Sequence, residues 1–279
     1  MCTIVKEKRW NKLKKICAGI VTFNPDVELL KNNISSIKDQ VCEIIIVDNG
    51  SKNINQFAET DIKMIRNTEN IGIAAALNQI CKLAILLGYD WVLTLDQDSI
   101  SPINLISKLS EYIENNIAIV SPKIVYKNNE VFANDKTGIQ EVNWVITSAS
   151  LTNLKIWEQL GGFDEKLFID GVDRDYCIRA TRQGFKILKC NDISILHELG
   201  NLKCIYRLGK TIYVTNHSSF RKYYMARNAI YIDKKLNMCG ARIYILKMLL
   251  KVALYENKKV KKIFAILKGI IDAKKMDHS

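Results

Sequence analysis

The feature that most constrains this chain is a series of short, unbroken apolar runs, each stopped by polar residues. They are ICAGIVTF from Ile16, EIIIVDNGS from Glu43, IKMIRNT from Ile62 and YDWVLTLDQDS from Tyr89. A strand wetted on one face alternates apolar with polar residues. Apart from IKMIRNT, which carries Lys63 and Arg66, these runs do not, so they read as strands covered on both faces. Two helical segments lie between them. One runs from about Pro25 to Asp39, with the proline at a favourable early position. The other, IGIAAALNQICKLAILLG, is alanine-rich and closed by Gly88. The β-α-β-β-α-β order predicts an α/β fold, a largely parallel sheet flanked by helices.

Beyond Asp98 the pattern loosens. A helix is expected over INLISKLSEYIENN, a strand over IAIVSPKIVY and a polar loop over residues 127–143. WVITSASLTN reads as a further strand, and LKIWEQLGG as a helix ended by two glycines. No linker rich in Pro, Gly or Ser interrupts the chain. The expected organisation is a basic prefix (1–15), one domain (16–235) and a helical basic tail (236–279). With 279 residues, 48% of them hydrophobic, the chain can bury a sizeable core.

Charge is concentrated at the two ends. Residues 1–15 carry a net +5 and residues 241–279 a net +7, which together make the whole formal charge of +12. A nucleic-acid groove would spread its basic residues over the fold, so basic ends on a neutral body point instead to an acidic surface. In the tail, apolar residues recur at helical spacing among lysines, and no apolar run is long enough to cross a bilayer. Two readings stay open: a helix lying on the cytoplasmic leaflet, or a helix pair packed on the domain with a solvated lysine face. The eight cysteines form no C-x-x-C pair and no secretory signal precedes them. They read as reduced packing residues of a cytosolic protein.

In open α/β sheets, ligands bind beyond the carboxyl ends of the strands. Three polar strand ends would share that edge: Thr22-Phe23-Asn24, Asp48-Asn49-Gly50-Ser51 and Asp96-Gln97-Asp98. Asp96 and Asp98, two residues apart, repel each other when ionised. Either a turn separates them or a divalent cation with a taste for oxygen ligands holds them. No G-x-G-x-x-G follows the first strand and no G-x-x-x-x-G-K-S/T occurs, so a dinucleotide fold or a P-loop is excluded.

VTFNP, IVDNGS, NTENIGIAAALN, LTLDQDS, TSASL, GGFDEKLFIDGVDRDYCIRA, LHELG and FRKYYMARN, in that order, resemble glycosyltransferase family 2. The form DQDS, with the motifs after it, is similar to the bacterial rhamnosyltransferase branch. The resemblance spans about residues 16–230. It implies a GT-A fold, a sugar-nucleotide donor and a divalent metal, Mn²⁺ or Mg²⁺, on the diphosphate. By position, Thr22, Asn24, Asp48 and Ser51 hold the nucleoside, Asn70 and Asn78 flank the glycine that admits the nucleotide, and Asp96 meets the ribose or the metal's water. Asp98 binds the metal, with His197 of LHELG as second ligand, unless that histidine is a partly buried structural residue.

The same resemblance implies an inverting displacement with Asp173 as general base. Asp175 supports the base or touches the acceptor, and Asp170 serves either the site or the start of a helix. Arg221, Tyr224 and Arg227 face a diphosphate or the acceptor, unless this is a surface helix with two packed tyrosines. Three positions depart from the family: Ala149 and Ile80 replace glycines, and Asp175 a glutamate. The activity implied is transfer of L-rhamnose from dTDP-rhamnose to a polyprenyl-diphosphate-linked acceptor in surface polysaccharide (O-antigen) synthesis, on the inner face of the membrane. UDP-galactofuranose or a UDP-hexose is the alternative donor. A sugar nucleotidyltransferase is disfavoured, because VTFNPDVE is neither glycine-rich nor basic. A non-enzymatic scaffold would not need acids at the strand ends.

Overall fold

The computed structural model describes residues 15–57, 62–126, 136–197, 203–207 and 210–276. The basic prefix 1–14 lies outside them. The chain divides into two compact units: Met1–Lys166 with Asp173–His197, and Leu167–Val172 with Glu198–Ser279.

The first unit opens with β1 (Ile16–Thr22), α1 (Val27–Ile37), β2 (Ile44–Asp48), β3 (Lys63–Arg66), α2 (Ile73–Leu86) and β4 (Trp91–Asp96). It continues with α3 (Leu105–Leu109), β5 (Ile117–Tyr126), β6 (Ile139–Glu141), β7 (Ser150–Asn153), α4 (Leu154–Gln159), α5 (Val172–Arg182) and β8 (Lys186–His197). The strands form one sheet in the order β3-β2-β1-β4-β7-β5-β8-β6. Pairing is parallel from β3 to β4 and between β5 and β8. It is antiparallel where β7 enters between β4 and β5 and where β6 adds to β8.

The mostly parallel α/β sheet read from the sequence is present. Two local expectations are corrected: the polar loop over residues 127–143 contains β6, and β7 keeps only the last four residues of the strand expected over WVITSASLTN. The cause is local, since Ala149 has φ 58 and the Ser150 amide donates to the Thr147 carbonyl, so the chain turns just before β7. The helix expected over residues 103–116 shrinks to α3 with a 3-10 turn after it.

Alternate residues of β1 and β2 point to opposite faces. Ile16, Ala18 and Ile20 meet Leu30, Ile34 and Ile37 of α1 in the main core. Asp26 caps α1, its Oδ1 accepting from the amides of Glu28 (3.0 Å) and Leu29 (3.2 Å), which sets the helix start at Val27. On the other face, a Cβ at Gly19 would collide with the Ile80 side chain. Ile80 of α2 thus fits because β1 leaves room for it at Gly19.

The second unit contains the antiparallel pair β9 (Lys203–Arg207) and β10 (Lys210–Val214), then α6 (Ser219–Lys235), α7 (Ala241–Tyr255) and α8 (Lys259–Ala273). Ala226 of α6 shares a core with Ile245, Met248 and Val252 of α7 and Ile266 of α8. At Gly269 the helices α8 and α6 approach so closely that a Cβ would strike the Tyr223 carbonyl. Between α7 and α8, the buried Glu256 accepts from Lys222 and Lys262, each at 2.7 Å. Burial acts to raise the Glu256 carboxyl, but the two ammonium groups outweigh it and hold the pKa below its ordinary value. One face of the tail therefore packs on α6. Among the described residues, no helix is long and apolar enough to cross a membrane.

Candidate active site

Strand register builds one edge of the first unit. Thr22 pairs with Asp48 across β1 and β2, and Val21 pairs with Asp96 across β1 and β4, so the three polar strand ends stand side by side. Asp48 is buried there. Its Oδ1 accepts from the Thr22 hydroxyl at 3.0 Å and its Oδ2 from the Ser51 amide at 3.1 Å. Ser51 in turn accepts from the Asn24 amide at 2.7 Å, and Asn24 Oδ1 accepts from the Lys52 amide at 3.0 Å. Thr22, Asn24, Asp48 and Ser51 are thus one network. Gly50, at φ 82, lets this turn lie against the next loop, since a Cβ would come within 2.6 Å of the Glu69 carbonyl carbon.

A second network, which motif reasoning passed over, continues from Asn49. Its amide donates to Asn70 Oδ1 (3.0 Å) and the Gly72 carbonyl (3.2 Å), and its Oδ1 accepts from the Ile71 amide (3.0 Å). Asn67 and Gln79 exchange two amide hydrogen bonds at 3.0 and 2.9 Å. Asn70 therefore stands beside the polar strand ends and fixes Gly72, the residue that opens α2. The density of asparagine between residues 49 and 79 was the available signal. Asn78 goes elsewhere: its amide donates to the Phe163 carbonyl (2.9 Å) and Glu165 (2.8 Å), and its Oδ1 accepts from the Phe163 amide. It clamps a loop.

Asp96 is half-buried and Asp98 exposed, with the turn tied by the Ser99 amide donating to the Asp96 carbonyl at 3.2 Å. Gln97 accepts from the Phe23 amide at 2.9 Å, joining this turn to the end of β1. Oxygen donors of this kind suit a hard divalent cation. Among the described residues no group of three His, Cys, Asp or Glu side chains stands together.

The acids before and within α5 have different fates. Asp173 is half-buried in the first turn, its Oδ1 accepting from the Arg174 amide at 2.8 Å. Asp175 is fully buried and paired with Arg179 Nε at 2.8 Å. Arg179 also donates to the carbonyls of Leu160 and Gly162, each at 2.7 Å, so the pair anchors the loop after α4. This is a structural post, and Arg179 went unnoticed in the sequence although it lies four residues on. Burial pushes the Cys177 thiol up to about 12, so it stays a neutral thiol at neutral pH.

In the second unit, Asp170, at φ 67, receives the Arg221 guanidinium: Nε lies 3.0 Å from both carboxylate oxygens and Nη2 is 2.9 Å from Oδ1. Asn228 donates to the carbonyls of Ile169 and Asp170 at 2.8 and 2.7 Å. Tyr224 stacks on Phe168 (centroids 5.2 Å) and carries the Arg227 guanidinium over its ring at 4.6 Å. Burial, followed by the Arg221 cation, lowers the His217 pKa to about 4. The backbone of His197 ends β8, but its side chain and Glu198–Gly200 lie outside the described residues.

The pattern that defines glycosyl transferase family 2 matches residues 17–177. The chain belongs to that family. Its matched span covers the polar strand ends and both acids of α5. This family 2 chain is 30% identical over 240 residues to the dTDP-rhamnosyl transferase RfbF of Shigella flexneri, covering 79% of this chain and 80% of the relative. GalNAc-T7, solved with UDP, GalNAc and Mn²⁺, shares its fold at a TM-score of 0.57 and 12% identity. That likeness covers 88% of this chain, which spans 58% of the GalNAc-T7 chain. The fold is that of the GT-A glycosyltransferases, and the protein is a glycosyltransferase.

Proposed function

We propose that this glycosyltransferase moves L-rhamnose from dTDP-rhamnose onto a saccharide acceptor carried on a polyprenyl diphosphate. The observation that carries the reading is the 30% identity to a dTDP-rhamnosyl transferase over four-fifths of both chains. The donor edge suits a thymine base. Each Asp48 oxygen already accepts one hydrogen bond and keeps lone-pair capacity for the ring N–H of the base. Asn24, Ser51 and Asn70 shape the floor on which the nucleoside rests.

Asp98 would hold the divalent metal, with Asp96 and, from its place in the chain, His197 beside it. When bound, that ion offsets the charge developing on the leaving diphosphate. Asp173 acts as general base. It takes the proton from the acceptor hydroxyl as that oxygen bonds to the anomeric carbon, and the carbon–oxygen bond to dTDP breaks with its electron pair leaving on the diphosphate. Asp175 acts through Arg179 by holding α5 and the loop at Leu160–Gly162 in register. Arg221 is engaged by Asp170, so the surface offered to a sugar in the second unit is aromatic, with Phe168, Phe220 and Tyr224 as faces and Arg227 at their side.

Release of nucleoside diphosphate from a panel of dTDP- and UDP-sugars tests this reading, run with Mn²⁺, with Mg²⁺ and with chelator. Metal-dependent turnover of dTDP-rhamnose is expected, falling by about 10²–10⁴ in Asp173→Asn and lost in Asp98→Ala. Turnover of a UDP-sugar in its place would remove rhamnose and leave the mechanism. Full activity of Asp173→Asn would remove the base assignment.

A further inference from the structure

Neither donor binding nor the displacement uses the outer surface of the tail helices. α7 and α8 each carry two apolar stripes, and only the inner ones are buried in the core shared with α6. The outer stripes run through Leu246, Leu250 and Leu254 on α7 and through Phe264, Leu267 and Ile271 on α8, each 44–68% exposed. Spacings of three and four place each set on one side of its helix. Single exposed apolar residues need no explanation, but two aligned stripes on neighbouring helices do.

Lysines accompany them. Lys247, Lys261 and Lys268 are exposed, each three residues before an outer apolar side chain. Residues 241–279 carry a net +7. A second copy of this face would bring like charge against like charge, and a basic partner is excluded for the same reason. An apolar stripe flanked by lysines is complementary to a surface that is apolar below and acidic above.

We infer that the outer stripes of α7 and α8 seat the protein on an anionic lipid bilayer. The six apolar side chains enter the acyl boundary and the flanking lysines reach the headgroup phosphates. The helices lie on the bilayer and do not cross it. This seating is independent of which sugar the enzyme transfers.

Flotation of the full chain with phosphatidylglycerol–phosphatidylcholine vesicles tests it, against phosphatidylcholine alone. The wild-type chain is expected to float with the anionic vesicles, less so as salt rises. The pair Leu250→Glu and Phe264→Glu is expected to weaken partition by on the order of tenfold or more, and Lys261→Gln or Lys268→Gln by about fivefold each. Leu250→Ser with Phe264→Ser serves if the glutamates disturb folding, judged by an unchanged melting profile and unchanged donor turnover in solution. Failure of the wild type to float overturns the inference. So does equal binding by folded stripe variants, which would assign attachment to residues 1–15. So does a dimer in light scattering that the same substitutions dissociate without any effect on lipid binding.

Discussion

Two buried carboxylates show how differently the two units use charge. Asp48, at the polar strand ends proposed to hold the donor, is met by a hydroxyl and a backbone amide, which are dipoles and bring no compensating positive charge. Glu256, in the helical unit, is met by two lysine ammonium groups at 2.7 Å and is fully compensated. A carboxylate held by dipoles stays available to a ligand proton. One held by cations is committed to the fold.

Glu256 offers the most decisive trial of this contrast. Glu256→Gln removes the counter-charge of two buried ammonium groups, of which Lys262 keeps only its hydrogen bond to Asn216, and is expected to cost about 3–5 kcal/mol in chemical unfolding of the full chain. The acid limb carries the same signature. Because the folded pKa lies below the ordinary 4.5, this stabilisation is present above that value and is lost as pH falls through the folded one. A cost under about 1 kcal/mol would mean that the lysines relax to solvent and the contrast with Asp48 fails.

Asp48→Asn addresses the other side. The shape is kept and the charge removed, so donor affinity should weaken by about 1.5–3 kcal/mol, read as a rise in donor KM with little change in melting. Loss of folding instead of affinity would place Asp48 with Glu256. A milder effect is expected at His217, whose pKa of about 4 lies below the ordinary 6.5. The native state then binds fewer protons than the unfolded chain, so stability present above 6.5 is lost as pH falls toward 4. His217→Gln should flatten unfolding free energy against pH in that window. Ala149→Gly should change stability least. Relief of the left-handed backbone, about 1–2 kcal/mol, is offset by the lost buried methyl and by glycine's greater entropy, leaving a net of less than about 1 kcal/mol in thermal unfolding.

What was legible in the sequence was local. An apolar run followed by Asp-Asn-Gly-Ser carries its own strand, its own turn and the residues that end at the sheet edge. Thr22, Asp48 and Asp96 therefore stand together as the runs foretell. What was not legible depends on partners far along the chain. Asn78 is bound to Phe163, 85 residues on, and the Arg221 fork to Asp170, 51 residues back. Nothing in the sequence near either residue names its partner. The Asp175–Arg179 pair has helical spacing and was within reach, but its grip on the Leu160 and Gly162 carbonyls was not. The strand over WVITSASLTN was legible, but its late start at Ser150, after the left-handed Ala149, and its antiparallel place between β4 and β5 were not.

The contact at Gly269 bears on how the tail can be studied. With a Cβ excluded by the Tyr223 carbonyl, and Ile266 seated in the same core as Ala226, α8 is a wall of the helical unit and not a detachable strap. Cutting the chain before Lys259 would bare that wall and remove Lys262 from Glu256. A shortened protein that lost membrane attachment would thus report collapse as readily as a missing anchor, whereas exchanging side chains on the outward stripes leaves the masonry standing.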